Sequence, residues 1–160
     1  MKVKKRIFIL LFLIFCIFNI WSEDPAHETL WNYYNRFYDY TFSLEQIRSS
    51  DTQTYSTEVY SVLISNFILN QKMVLHLYDL TFIGAQMVNY EDLETITKFV
   101  ITRCKDMIED LDMVSANINL SIAFINSYPR QNKRLLNLAQ EYLNSIKELK
   151  QYLKWILGEQ

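Results

Sequence analysis

The chain has 160 residues, half of them hydrophobic and 15% aromatic, with a formal net charge of −2. Two glycines and two prolines punctuate it. That is too few for a β-sandwich, barrel or doubly wound α/β fold, whose tight turns need φ > 0 or a preset φ, and too few for a glycine-rich phosphate loop. What remains is a single all-α domain of a few long helices.

In chain order, the first element is an N-terminal leader. Met1 to Arg6 holds four basic residues, Ile7 to Phe18 holds no polar one, and Asn19-Ile20-Trp21-Ser22 precedes Glu23-Asp24-Pro25. A basic stretch, an apolar run and a small residue at position 22 predict a secretory signal peptide over residues 1–22, cleaved after Ser22. The expected product is an exported protein, periplasmic or secreted, whose single helical-bundle domain is residues 23–160. The apolar segment Ile7–Trp21 is 15 residues, short of the ~20 needed to span a bilayer. A membrane location follows only where that segment is uncleaved, and the rest of the chain offers no second transmembrane span.

Loss of Lys2, Lys4, Lys5 and Arg6 lowers Lys+Arg from 16 to 12 against 18 Asp+Glu, a net charge of −6. An acidic domain lacks the basic footprint that binds phosphates, so no nucleic-acid partner is expected. Docking on anionic lipid is disfavoured for the same reason. Cys104 is then the sole cysteine. No intramolecular disulfide can form, and stability has to come from packing.

Apolar spacing predicts four helices. The first opens with Asp24 as N-cap and Pro25 at the first helical position, follows the seam Leu30, Tyr33, Phe37, Tyr40, Leu44 and Ile47, and stops at Ser49-Ser50-Asp51-Thr52. The second spans about Thr54 to Met87 along Val59, Val62, Asn66, Leu69, Met73, His76, Leu80, Ile83 and Met87. The third opens at Asn89 as N-cap, with Glu91, Asp92 and Glu94 complementing the helix dipole and Val88 and Leu93 placed for a hydrophobic staple. Its seam is Leu93, Thr97, Val100, Cys104, Met107, Leu111, Val114, Ile118, Ser121 and Ile125. Pro129 breaks the chain and opens the fourth, whose seam is Leu135, Leu138, Tyr142, Ile146, Leu149, Leu153 and Ile156. Seams of alternating three- and four-residue steps pack like a coiled coil. Short connections between long helices make neighbours antiparallel, giving an up-down-up-down four-helix bundle with long second and third helices.

Connection centres then set which residues face one another. A turn near position 128 places Lys147 opposite Glu109 and Lys150 opposite Asp106, so part of the acidic cluster Asp106, Glu109, Asp110, Asp112 becomes interhelical pairing. Such exposed pairs contribute little, and the cluster reads first as a solvated face. A turn near 51–52 places His27 opposite His76 and Asp24 opposite Asp79.

Motifs for chemistry are scarce. No Gly-x-Ser-x-Gly turn, zinc-finger spacing, paired Glu-x-x-His or Cys-x-x-Cys-His is present, so no catalytic residue and no cofactor is assigned and no enzyme is expected. One constellation suits zinc or copper: His27, His76 and Asp79, with Cys104 at a similar level. Against it stands the ordinary reading of a seam histidine as a core residue with its hydrogen bonds satisfied, and of Cys104 as a small buried hydrophobe.

The larger signal is surplus apolar surface. Between Val59 and Tyr90 the charged residues are Lys72 and Asp79 alone. Beside its seam the second helix carries Tyr60, Ile64, Phe67, Val74, Tyr78, Phe82 and Val88, and the first carries Trp31, Tyr34 and Tyr38 with Phe42. The polar strip of the second helix is thin: Ser65, Lys72, Asp79 and Gln86. Two readings compete. Either the second helix is central and both stripes are buried, or the second stripe meets another chain. The functional expectation is an exported, non-catalytic bundle working through protein contacts, with a protein partner or a second copy. The alternative is a periplasmic or secreted bundle binding a small ligand or metal.

Overall fold

The computed structural model describes residues 26–51, 57–86 and 90–159. They form four helices: α1 Ala26–Ser50, α2 Thr57–Gln86, α3 Tyr90–Ser127 and α4 Lys133–Ile156. The leader, the N-cap Asp24 with Pro25, and the caps and staple at Val88 and Asn89 lie outside the described residues.

Successive helices run antiparallel. His27 lies beside Phe82 while Asp51 binds Tyr60, tying opposite ends of α1 and α2. Asn66 meets Asn117, and Gly84 meets Ile96, across α2 and α3. Tyr33 with Tyr152, Arg36 with Glu148 and Tyr40 with Ser145 close the ring between α1 and α4. Among adjacent helices, contact is fullest between α1 and α2 and sparsest between α1 and α4. This is an all-α, up-down-up-down four-helix bundle.

Three seams follow the sequence periodicity. In α1, Leu30, Phe37, Leu44 and Ile47 are buried, with Tyr33 and Tyr40 packed against them. In α3, Cys104, Met107, Leu111, Val114, Ile118, Ser121 and Ile125 are buried. In α4, Leu135, Leu138, Tyr142, Ile146, Leu149 and Leu153 are buried. The α2 seam differs. Val59, Asn66 and Met73 are buried as expected, but Val62, Leu69, His76 and Ile83 face solvent. Their places in the core are taken by Tyr60, Leu63, Phe67, Asn70, Val74 and Leu77. A helix apolar around most of its circumference can rotate about its axis with little loss, so its neighbours choose the buried face.

The centre of the bundle is aromatic and partly polar. Phe67 stacks on Tyr142 with ring centroids 3.6 Å apart and planes 2° apart, and Phe37 packs on the same tyrosine at 5.1 Å. The Asn70 Nδ2 donates to the Tyr142 hydroxyl at 2.8 Å. Burial pushes the Tyr142 phenol well above its ordinary range; the Asn70 hydrogen bond opposes this and Tyr40 adds to it. Asn117 Nδ2 donates to Asn66 Oδ1 at 3.3 Å. Such pairs inside an apolar core penalise a slipped register, because shifting one helix strands two amides.

The ends are fastened by short-range chemistry. Asp51 Oδ2 accepts from the Tyr60 hydroxyl at 2.6 Å and from Asn132 Nδ2 at 3.0 Å. Asn132 is the N-cap of α4, its Oδ1 accepting from the Leu135 amide at 3.1 Å. Pro129 therefore breaks the chain as expected but does not open α4; it sits in a bend, and the helix starts at Lys133 behind its asparagine cap. At the far end, Gly158 takes φ 71°. Its amide reaches the Trp155 carbonyl at 3.0 Å while the Glu159 amide reaches that of Lys154 at 2.9 Å. This is a Schellman closure, and it needs the left-handed conformation that glycine adopts freely. Gly84 serves differently: a Cβ there would sit 3.0 Å from the Ile96 Cγ2, so its bare backbone permits the close approach of α2 and α3.

Candidate interaction surface

Along the outer edge of the α1–α2 pair runs a belt of rings. Trp31 stacks on Tyr34 at 5.0 Å and leans on Tyr78 at 5.2 Å. Tyr78 stacks on Phe82 at 6.0 Å, and His27 meets both edge-on at 6.3 and 6.0 Å. One helical face of α1, with steps of three and four, puts Trp31, Tyr34, Tyr38 and Phe42 on this edge. Trp31 is 41% exposed, Tyr38 53%, Phe42 56% and Phe82 44%, while Tyr34 and Tyr78 are half-buried beneath them. Trp31 and Phe82 are thus held by neighbouring rings yet offer a free edge or face, and Tyr38 and Phe42 extend the exposed apolar edge.

The structure divides the residues that the sequence assigned to this surface. Trp31, Tyr34, Tyr38, Tyr78 and Phe82 lie on the belt, and Ile64 is half-buried at its margin. Tyr60, Phe67 and Val74 belong to the core instead, because α1 and α4 close over that side of α2. Phe42, noted beside the first seam, is among the more exposed of the rings. The sequence reading missed the converse group, Val62, Leu69 and Ile83, which it had assigned to the interior. Their seven-residue repeat, with His76 completing the series, was the available sign.

His27, His76 and Asp79 do not come together as a set. His27 is half-buried against Tyr78 and Phe82, and its Nδ1 has no hydrogen-bond partner among the described residues. His76 and Asp79 are exposed, and Cys104 is fully buried. Among the described residues no three His, Cys, Asp or Glu side chains gather closely enough to hold a metal ion. The register is the cause. Helix α1 ends at Ser50 and α2 begins at Thr57, so the two meet around a later centre than 51–52, and His27 falls beside Phe82 rather than His76. The same displacement moves the partner of Lys150 from Asp106 to Asp112 across α3 and α4.

No described helix is long and apolar enough to cross a membrane. No protein-family model, curated protein or solved structure matches the chain.

Proposed function

We propose that the chain is an exported, non-catalytic helical-bundle protein that acts through protein contacts, with the α1–α2 aromatic belt as its contact surface. The observation that carries this reading is the belt itself: Trp31 and Phe82, half-exposed and joined through Tyr78, with exposed Tyr38 and Phe42 on the same edge. Rigid aromatic rings bring large contact area with little rotamer entropy to lose, and tryptophan and tyrosine are enriched among residues that dominate binding energy. Export rests on the leader pattern of residues 1–22.

Site-directed photocrosslinking in the native host tests the reading. A crosslinking side chain at Tyr38 is expected to give discrete adducts that one at Lys154, exposed on the outer side of α4, does not. Trp31→Glu should diminish those adducts at least about tenfold, as for loss of a central anchor worth about 1.4 kcal/mol or more. Equal adducts at both positions, or none at Tyr38, would sink the assignment.

A further inference from the structure

A second apolar face lies on the other side of α2. Val62, Leu69 and Ile83 are exposed at seven-residue multiples, and so are Phe99, Met113 and Leu120 on α3. The Asn66–Asn117 and Gly84–Ile96 contacts fix the register between the two helices. Extended by helical steps, it sets Val62 level with Leu120, Leu69 with Met113 and Ile83 with Phe99. His76 and Asp106, both exposed, fill the remaining level. The buried residues of the same helices lie on the opposite flank, so both stripes border one outer face.

From Val59 to Gln71 and from Met113 to Pro129 neither helix carries a charged residue. A monomeric bundle normally turns a polar, charged back to solvent; the exposed polar residues of this half, Ser61, Ser65 and Asn119 among them, are all uncharged. Charges resume higher up, where Lys72 lies level with Glu109. Both are exposed, and neither makes a salt bridge among the described residues.

We propose that this face receives a second copy of the chain, related by a twofold axis parallel to the helices. Such an axis keeps every residue at its own height and lays α2 of one copy across α3 of the other. Apolar layers then meet apolar layers. Lys72 of one copy meets Glu109 of the other, a pair that occurs twice by symmetry. A twofold perpendicular to the helices would instead run α2 against α2 and mismatch these levels.

The area is sufficient. The stripe from Val62 to Ile83 is about 32 Å long and two helices are about 20 Å wide, giving about 640 Å² per copy and about 1,300 Å² for the pair, inside the ~1,200–2,000 Å² range of stable interfaces. The proposal rests on the reading that the chain works through protein contacts, but it uses a different face from the aromatic belt.

Sedimentation equilibrium of the purified full-length chain, from about 1 to 100 µM, is the test. Wild type is expected to be a dimer. Leu69→Glu and Leu120→Glu should each weaken it at least about a hundredfold, since each buries two uncompensated charges per dimer. Circular dichroism should stay helical, both positions being exposed in the monomer. Lys72→Glu and Glu109→Lys should each weaken the dimer about fivefold, and the two combined should restore it to within about twofold of wild type. A monomer at the highest concentration overturns the proposal, as does a dimer indifferent to both glutamate substitutions. Failure of the charge swap to restore association overturns the twofold geometry. A monomeric chain that still crosslinks from Tyr38 removes this inference and leaves the belt standing, whereas an intact dimer without such adducts does the reverse.

Discussion

Helices α2 and α4 make an instructive pair. Helix α4 carries its apolar residues on one face, and Leu135, Leu138, Tyr142, Ile146, Leu149 and Leu153 all go inside. Helix α2 is apolar on nearly every side, and its interior is selected from a surplus: Phe67 and Val74 are buried while Leu69 and Ile83 are exposed. A one-faced helix carries its own orientation in its sequence. A many-faced helix leaves that choice to its neighbours, and whatever they do not cover becomes surface available to other chains.

The sharpest way to break the comparison is to truncate side chains on the two faces of α2 and on α4. Phe67→Ala should destabilise the bundle by about 3–5 kcal/mol and Leu149→Ala by about 2–5 kcal/mol, as fully buried positions do. Leu69→Ala, measured by urea unfolding at low protein concentration, should change stability by no more than about 0.5 kcal/mol. Equal losses at Phe67 and Leu69 would show that both faces of α2 are interior.

A middle-sized effect is expected where α2 and α4 meet through polar atoms. Tyr142→Phe leaves the Asn70 Nδ2 without its acceptor in a fully buried site, beside an Asn70 Oδ1 that already lacks a partner. The loss should be about 1–3 kcal/mol. This tyrosine also sets an alkaline limit. Its folded-state pKa stands above the unfolded value of about 10, so the unfolded chain releases the proton first as pH rises. The phenol's contribution is fully present below about pH 10 and is lost above it. Denaturant midpoints followed from pH 8 to 11 should therefore fall at the alkaline end, and less steeply in Tyr142→Phe. An identical slope in the variant would assign the limit to other tyrosines.

The smallest effect belongs to the sparse α1–α4 contact. Arg36 pairs with Glu148 at 2.6 Å, both about half-exposed, and its guanidinium lies 5.2 Å from the centre of the Tyr33 ring. Arg36→Ala should cost about 0.2–1 kcal/mol, and the difference from wild type should shrink in high salt. A loss that salt does not touch would mean that the side chain acts by packing on Tyr33 instead.

The fold was legible because the apolar seams of three of four helices keep an unbroken three-four spacing and because scarce glycine and proline leave few places to turn. Helix order, antiparallel topology and the cores of α1, α3 and α4 follow from that. Rotation of α2 was not legible, since Val62, Leu69 and Ile83 satisfy a three-four pattern as well as Leu63, Phe67 and Val74 do. Register was not legible either. A six-residue connection between Ser50 and Thr57 moves facing pairs by more than a turn relative to a centre at 51–52, which is enough to separate His27 from His76. Asp51, read as part of a stop, proved to tie α1, α2 and the cap of α4 together. That role depends on tertiary proximity and has no local pattern.

The burial of Cys104 has a bearing on how copies of this domain could be joined. A thiol with no accessible surface cannot attack a disulfide or be attacked by an oxidant while the bundle is closed. An exposed cysteine in its place could join two copies through a disulfide under oxidising conditions. With the Cys104 sulfur buried in the core, that route is closed to it while the bundle stays folded.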